Sequence, residues 1–167
     1  MNTTAGNTLY NNVRLVAFDV DGVFTDGRFY LSDDGCESKA FSTQDGFGIR
    51  KLLLAGIEVA VISGRNSKAV ERRMAELDVV HVIQGCKNKV AAFDELTTRL
   101  EIPLPETVFV GDDVPDLPLL RHAGFSFAVA NAVAEVKNHC DVTTVAAGGF
   151  GAVREVCDLI LGAREDS

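Results

Sequence analysis

The apolar run Val16-Ala17-Phe18 leads straight into Asp19-Val20-Asp21-Gly22, and this junction limits the chain to few architectures. An apolar run without polar alternation suits a strand buried on both faces, as in a parallel sheet. Two aspartates followed at once by glycine then place carboxylates at the carboxyl end of that strand, the edge where open α/β sheets bind their ligands. Residues 19 and 21 share a face if the strand continues, and a break at Gly22 turns the second carboxylate toward the first. Either arrangement suits Mg²⁺, which takes one or two carboxylates and leaves its other positions to water and a substrate phosphate. The plain alternative is an Asx turn after a strand. The rest of the chain decides between them.

Downstream, the hydrophobic period switches repeatedly between strand and helix. The runs Val23 to Tyr30 and Glu37 to Ser42 flank Asp34-Gly35, a strong hairpin signal, and predict a two-stranded flap over about 23–42. A hairpin of this size needs a neighbour to cover it, which a second subunit can supply. Helices are expected from Gly46 to Gly56, over Lys68 to Leu77, Lys87 to Leu100, Leu117 to Ala123 and Val133 to Asn138, and from Gly151 through Leu161. Strands are expected over Ile57 to Ile62, Val79 to Ile83, Thr107 to Val110, Phe125 to Val129 and Val142 to Val145. This alternation predicts an α/β fold, a Rossmann-like parallel sheet sandwiched by helices, with the flap after the first strand and no inserted cap domain.

A length of 167 residues and the absence of a composition break predict one domain over 13–162, with loose tails at 1–12 and 163–167. The formal charge of −8 weighs against nucleic acid or an anionic membrane as partner. No apolar run approaches the roughly 20 residues of a membrane span, and the polar N-terminus has no signal pattern, so a cytoplasmic protein is expected. Cys36, Cys86, Cys140 and Cys157 have no metal-ligand spacing and are expected as free, mostly buried thiols. His81, His122 and His139 are scattered and expected in structural roles.

Four signals fall at the ends of strand-like segments: Asp19 and Asp21, Ser63-Gly64, Lys89 at a helix start, and Gly111-Asp112-Asp113 with Asp116. Singly, each has an ordinary reading as a cap, a turn or a solvated side chain. Together they describe a phosphate site: carboxylates for a metal, a hydroxyl and backbone N–H groups for phosphoryl oxygens, and a lysine to offset charge.

In this order and over almost the whole chain, these motifs resemble the haloacid dehalogenase superfamily of phosphotransferases. The resemblance implies Asp19 as nucleophile, Asp21 as general acid and base, and Ser63 and Lys89 on the phosphoryl group. It implies Mg²⁺ held by Asp19, the backbone carbonyl of Asp21 and Asp112, with Asp113 or Asp116 as outer support. The short interval between the first two motifs places the chain in the capless branch, most like the phosphatases of 2-keto-3-deoxy sugar acid phosphates. There the substrate contacts implied are Asp21, Ser42, Thr43, Gln44, Asp45, Gly46, Arg50, Gly64, Arg65, Arg73 and Lys89. The expected substrate is octulosonate 8-phosphate, with a nonulosonate 9-phosphate or another sugar phosphate as alternative. Relatives of this kind are homotetramers in which the flap of one subunit closes a neighbouring site. One departure stands out, since Phe150 occupies a glycine-rich segment where relatives often carry a basic residue. A non-catalytic assembly module and a receiver-like signalling domain are the readings of a different class.

Overall fold

The computed structural model describes residues 10–165. Strand β1 (Leu15–Phe18) is buried along its whole length. It lies between β4 (Glu58–Ile62) and β6 (Thr107–Gly111), paired in parallel with both. Adding β5 (His81–Ile83), β7 (Phe125–Ala128) and β8 (Val142–Thr143) gives a six-stranded parallel sheet of order β5-β4-β1-β6-β7-β8. The chain therefore builds outward from β1 through β4 to β5, then returns to β6 on the other side. That reversal opens a crevice at the carboxyl ends of β1 and β6, where Asp19 and Asp112 lie.

The helices are α1 (Thr43–Leu54), α2 (Lys68–Glu76), α3 (Lys89–Leu100), α4 (Leu117–Leu120), α5 (Ala134–Lys137) and α6 (Ala152–Glu165). No helix among the described residues is long and apolar enough to cross a membrane. Helix α1 starts earlier than the expected Gly46, because Ser42 caps it by accepting from the Asp45 N–H at 3.4 Å. Its glycines lower helix propensity but serve packing. A Cβ on Gly48 would lie 3.1 to 3.2 Å from Arg154 and Cys157 of α6, so glycine sets how closely these two helices approach. Helix α3 begins at Lys89 because Asn88 accepts from the Ala91 N–H at 3.1 Å.

The hairpin is shorter than the expected flap. Only β2 (Tyr30–Leu31) and β3 (Glu37–Ser38) pair, antiparallel, across a turn in which Gly35 has φ +83°. Residues 23–25 instead belong to a tight turn in which Val20 O accepts from the N–H groups of Val23, Phe24 and Thr25. Phe24 enters the core from that turn, its ring edge-on to Phe18 at 5.3 Å. Burial overrides the strand propensity of the segment.

Both expected tails are shortened by packing. Tyr10 is buried, with its ring against Phe125 and Phe127; residues 1–9 of the expected tail lie outside the described residues. Helix α6 continues past Gly162, burying Ala163, while Arg164 donates to the Ala55 and Val13 carbonyls. Of the four free cysteines only Cys157 is buried; Cys36 is exposed on the hairpin turn, and Cys86 and Cys140 are half-buried.

Candidate active site

Asp19 follows β1 directly, and its N–H still pairs with Val110 O at 2.9 Å. The sheet thus carries the Asp19 side chain to its edge as a nearly buried group. Gly22 then turns the chain at φ +89°. A Cβ there would lie 1.9 Å from Asp112 Oδ2, so the glycine makes room for the second carboxylate. Thr25 closes the turn, its hydroxyl accepting from the N–H groups of Gly22 and Gly27 at 3.2 and 3.1 Å.

The carboxylates of Asp19, Asp112 and Asp116 converge, with one oxygen of each within 4.8 Å of the others. Lys89 donates to Asp19 Oδ1 at 2.6 Å and to Asp116 Oδ1 at 2.7 Å. Asp116 Oδ2 accepts from the N–H groups of Asp112 and Asp113 at 3.0 and 3.4 Å, so both its oxygens are engaged and it shapes the loop after β6. Asp113 is exposed and caps the next turn through Val114 N–H at 2.7 Å. The Asp21 carboxylate stands outside this trio: the turn at Val20 aims it at Lys39, which donates to Oδ1, and at Arg65, whose Nε is 3.8 Å from Oδ2.

The electrostatics follow from this crowding. Burial, with repulsion from Asp116, raises the Asp19 pKa to about 6 although Lys89 opposes the shift. Burial and the charges of Asp19, Asp116 and Asp113 push Asp112 up to about 8. Burial works against the charge of Lys89, but Asp19 and Asp116 outweigh it and raise its pKa. Three crowded carboxylates facing one lysine leave excess negative charge, and no cation pairs with Asp112 among the described residues. A hard divalent cation on oxygen ligands fits that donor set.

Ser63 follows β4, buried, and its hydroxyl accepts from the Arg65 N–H at 3.3 Å. Asp19, Asp21, Ser63, Gly64, Arg65, Lys89, Asp112, Asp113 and Asp116 line one cavity of about 320 Å³. The other expected sugar contacts lie elsewhere on the same chain. Asp45 is buried beneath α6, accepting from the Arg154 N–H at 2.9 Å, because the start of that helix needs a partner for its free N–H groups. Arg50 pairs with Asp78, while Arg73 pairs with Glu76 at 3.2 Å and packs against Gly46. Ser42 caps α1, and Thr43 is exposed on its first turn. Gln44 lines a different, larger cleft of about 540 Å³ with Phe150 and Arg154, which contains none of the clustered carboxylates. None of these lines the chain's own cavity. The histidines do not either: His81 pairs with Glu58, and His122 with Asp94.

Sequence reasoning missed Asn131, which donates to Gly22 O at 3.1 Å and accepts from the Gly148 N–H at 2.6 Å. It ties the turn after β1 to the glycine-rich loop before α6. A Cβ on Gly148 would fall 1.8 Å from Gly22 O, so the two backbones touch. No local pattern marks such a residue. Lys39 and Glu37 were also missed, although their spacing of two on a β-prone run was a visible signal.

A buried carboxylate cluster with a bridging lysine and a serine, at the switch point of a doubly wound sheet, is the equipment of a phosphohydrolase. Residues 76–153 match the haloacid dehalogenase-like hydrolase family. The chain is 48% identical to the 3-deoxy-D-manno-octulosonate 8-phosphate phosphatase of Salmonella typhi over 154 residues, covering 92% of this chain and 82% of that protein. It is similar to the crystal structure of the Moraxella catarrhalis 3-deoxy-D-manno-octulosonate 8-phosphate phosphatase in complex with magnesium, phosphate and KDO. That likeness has a TM-score of 0.94 at 41% identity, over 99% of this chain and 95% of that one. The cobalt-bound Haemophilus influenzae phosphatase is similar at TM-score 0.91 and 40% identity, over 93% of this chain and 91% of that one. The chain belongs to the haloacid dehalogenase-like hydrolases and, among them, to the 3-deoxy-D-manno-octulosonate 8-phosphate phosphatase family.

Proposed function

We propose that the protein is a Mg²⁺-dependent phosphomonoesterase that hydrolyses 3-deoxy-D-manno-octulosonate 8-phosphate. The observation that carries the mechanism is the convergence of Asp19 with Asp112 and with the Lys89 ammonium, in a cavity also lined by Ser63 and Asp21. An Asp19 oxygen attacks phosphorus, the ester P–O bond breaks, and the leaving alkoxide takes a proton from Asp21. In the second step Asp21 takes a proton from water, whose oxygen attacks phosphorus, and the bond to Asp19 breaks to release phosphate. Lys89 and Ser63 hold the phosphoryl oxygens as charge redistributes. Asp19, Asp112 and the Asp21 carbonyl would hold Mg²⁺, which neutralises phosphoryl charge when bound. Arg65 lies within the cavity and offers a guanidinium fork to a sugar acid.

The assembly is a cytoplasmic homotetramer in which the flap reaches a neighbouring site. The largely exposed Tyr30 and Leu31 of the hairpin support this, since they leave an apolar edge without cover in a single chain. The deciding experiment is phosphate release from a panel of sugar phosphates with Mg²⁺, on wild type and Asp19→Asn. Turnover led by the octulosonate phosphate and lost in the variant supports the reading. A lead by a nonulosonate 9-phosphate would move the substrate, and no Mg²⁺-dependent release at all would refute the activity.

A further inference from the structure

Glu37, the first residue of β3, and Lys39, just past its end, stand two positions apart, so their side chains leave the same face. The Lys39 side chain is 1% exposed. Its Nζ donates to Asp21 Oδ1, lies 3.5 Å from Glu37 Oε1 and sits 5.5 Å from the centre of the Phe29 ring. Glu37 accepts from Arg65 Nη2 at 2.7 Å. The Arg65 guanidinium stacks 4.2 Å from the centre of the same Phe29 ring, and its Nε closes the circuit 3.8 Å from Asp21. Four charges of alternating sign, Asp21, Lys39, Glu37 and Arg65, thus form a ring whose two cations both lie beside Phe29.

This ring differs from the ion pairs elsewhere on the surface. Arg28 and Asp26, for instance, pair with the arginine side chain 84% exposed and freely solvated. An enclosed ammonium group is costly without a carboxylate partner, so the lysine and Asp21 are held together. Asp21, for its part, lies past the end of β1 in a glycine turn, where no sheet neighbour fixes its side chain. The lysine supplies what the strand does not. Glu37 completes the arrangement, with Oε2 accepting from Arg65 and Oε1 placed 3.5 Å from the lysine as a second negative charge.

We propose that Lys39 is a positioning residue for Asp21, and that Glu37 positions both Lys39 and Arg65. The second hairpin strand of each chain and the residue after it therefore organise that chain's own cavity. The inference rests on the function proposed above, in which Asp21 exchanges protons with the leaving group and with water. That exchange requires hydrogen-bond reach, and a side chain displaced by about 1 Å costs on the order of 10²-fold in rate.

The test is steady-state kinetics with octulosonate 8-phosphate and Mg²⁺ on Lys39→Met, Lys39→Arg, Asp21→Asn, the Lys39→Met/Asp21→Asn double variant, and, as a control, Lys51→Met, whose lysine pairs with Asp158 away from the cavity. Lys39→Met should lower kcat by about 10- to 100-fold while KM stays within about threefold. Lys39→Arg should recover most of the loss, and Lys51→Met should match wild type. In the Asp21→Asn background, Lys39→Met should lower kcat no further, because the residue it positions is already disabled. Glu37→Gln should raise KM along with its loss of kcat, through Arg65. Equal losses from Lys39→Met in both backgrounds, or unchanged kcat in Lys39→Met, would overturn the proposal while leaving the phosphatase assignment standing. Absence of turnover in wild type would instead remove the assignment on which it rests. If Lys39→Met fails to fold, the comparison of Lys39→Arg with Glu37→Gln decides: wild-type kcat and KM in both overturn the proposal.

Discussion

Gly22→Ala isolates how the turn after β1 controls the metal site. Glycine adopts φ +89° here, and an alanine in a left-handed conformation costs about 1–2 kcal/mol. For a chain of this length that corresponds to a fall in Tm of about 2–8 °C. The larger effect falls on Asp112. The new Cβ would lie 1.9 Å from Asp112 Oδ2, and ordinary contact begins at 3.4 Å, so the carboxylate must retreat by about 1.5 Å. Metal sites tolerate ligand displacements of about 0.2 Å. The half-saturating Mg²⁺ concentration should therefore rise by at least about tenfold, with kcat at saturating metal reduced. The assay is phosphate release against Mg²⁺ concentration, with calorimetric Tm measured alongside. Gly22→Asn separates the two causes, since asparagine tolerates the left-handed region better but still carries a Cβ. It should recover Tm without recovering Mg²⁺ affinity. Wild-type Mg²⁺ dependence in Gly22→Ala would refute the contact argument, and recovery of affinity in Gly22→Asn would show that backbone strain was the cause.

Other expectations concern charge and connection. The Asp112 pKa is raised from 3.8 to about 8 in the metal-free fold, so the folded state holds a proton that the unfolded state has lost over that window. That contribution to stability is present below the unfolded pKa and is lost as pH rises toward 8, so metal-free wild type should lose more Tm than Asp112→Asn between about pH 5.5 and 8.5. Saturating Mg²⁺ should reverse the trend, because binding requires the deprotonated carboxylate; parallel Tm curves for the two proteins would contradict the shift. Lys89→Met removes the cation between Asp19 and Asp116, and turnover should fall by on the order of 10²- to 10³-fold. Asn131→Ala leaves Gly22 O and Gly148 N–H without their partner and should destabilise by about 1–3 kcal/mol, read by urea denaturation.

Strand-end chemistry was legible in the sequence because a period of two, a glycine and a carboxylate are local facts. The order of elements followed from the same local patterns, as did the parallel sheet they build. Where local preference and burial disagreed, burial prevailed. The segment 23–25 reads as strand yet folds into a turn that buries Phe24. Gly46 reads as a helix start yet lies inside α1, because the Ser42 cap begins the helix earlier.

The sequence by itself determined the α/β alternation, the Asp19-Val20-Asp21-Gly22 junction and the identity of the groups at each strand end, because these depend on neighbours a few residues apart. Only the tertiary structure decided which carboxylates meet. Asp116 joins Asp19 through Lys89, whereas the carboxylate of Asp21, two residues from Asp19, turns away to Lys39. It also assigned Asp45 to the start of α6 and Asn131 to the junction of two loops more than a hundred residues apart. Such partnerships join groups distant in the chain, and only the closed fold brings them within hydrogen-bond distance.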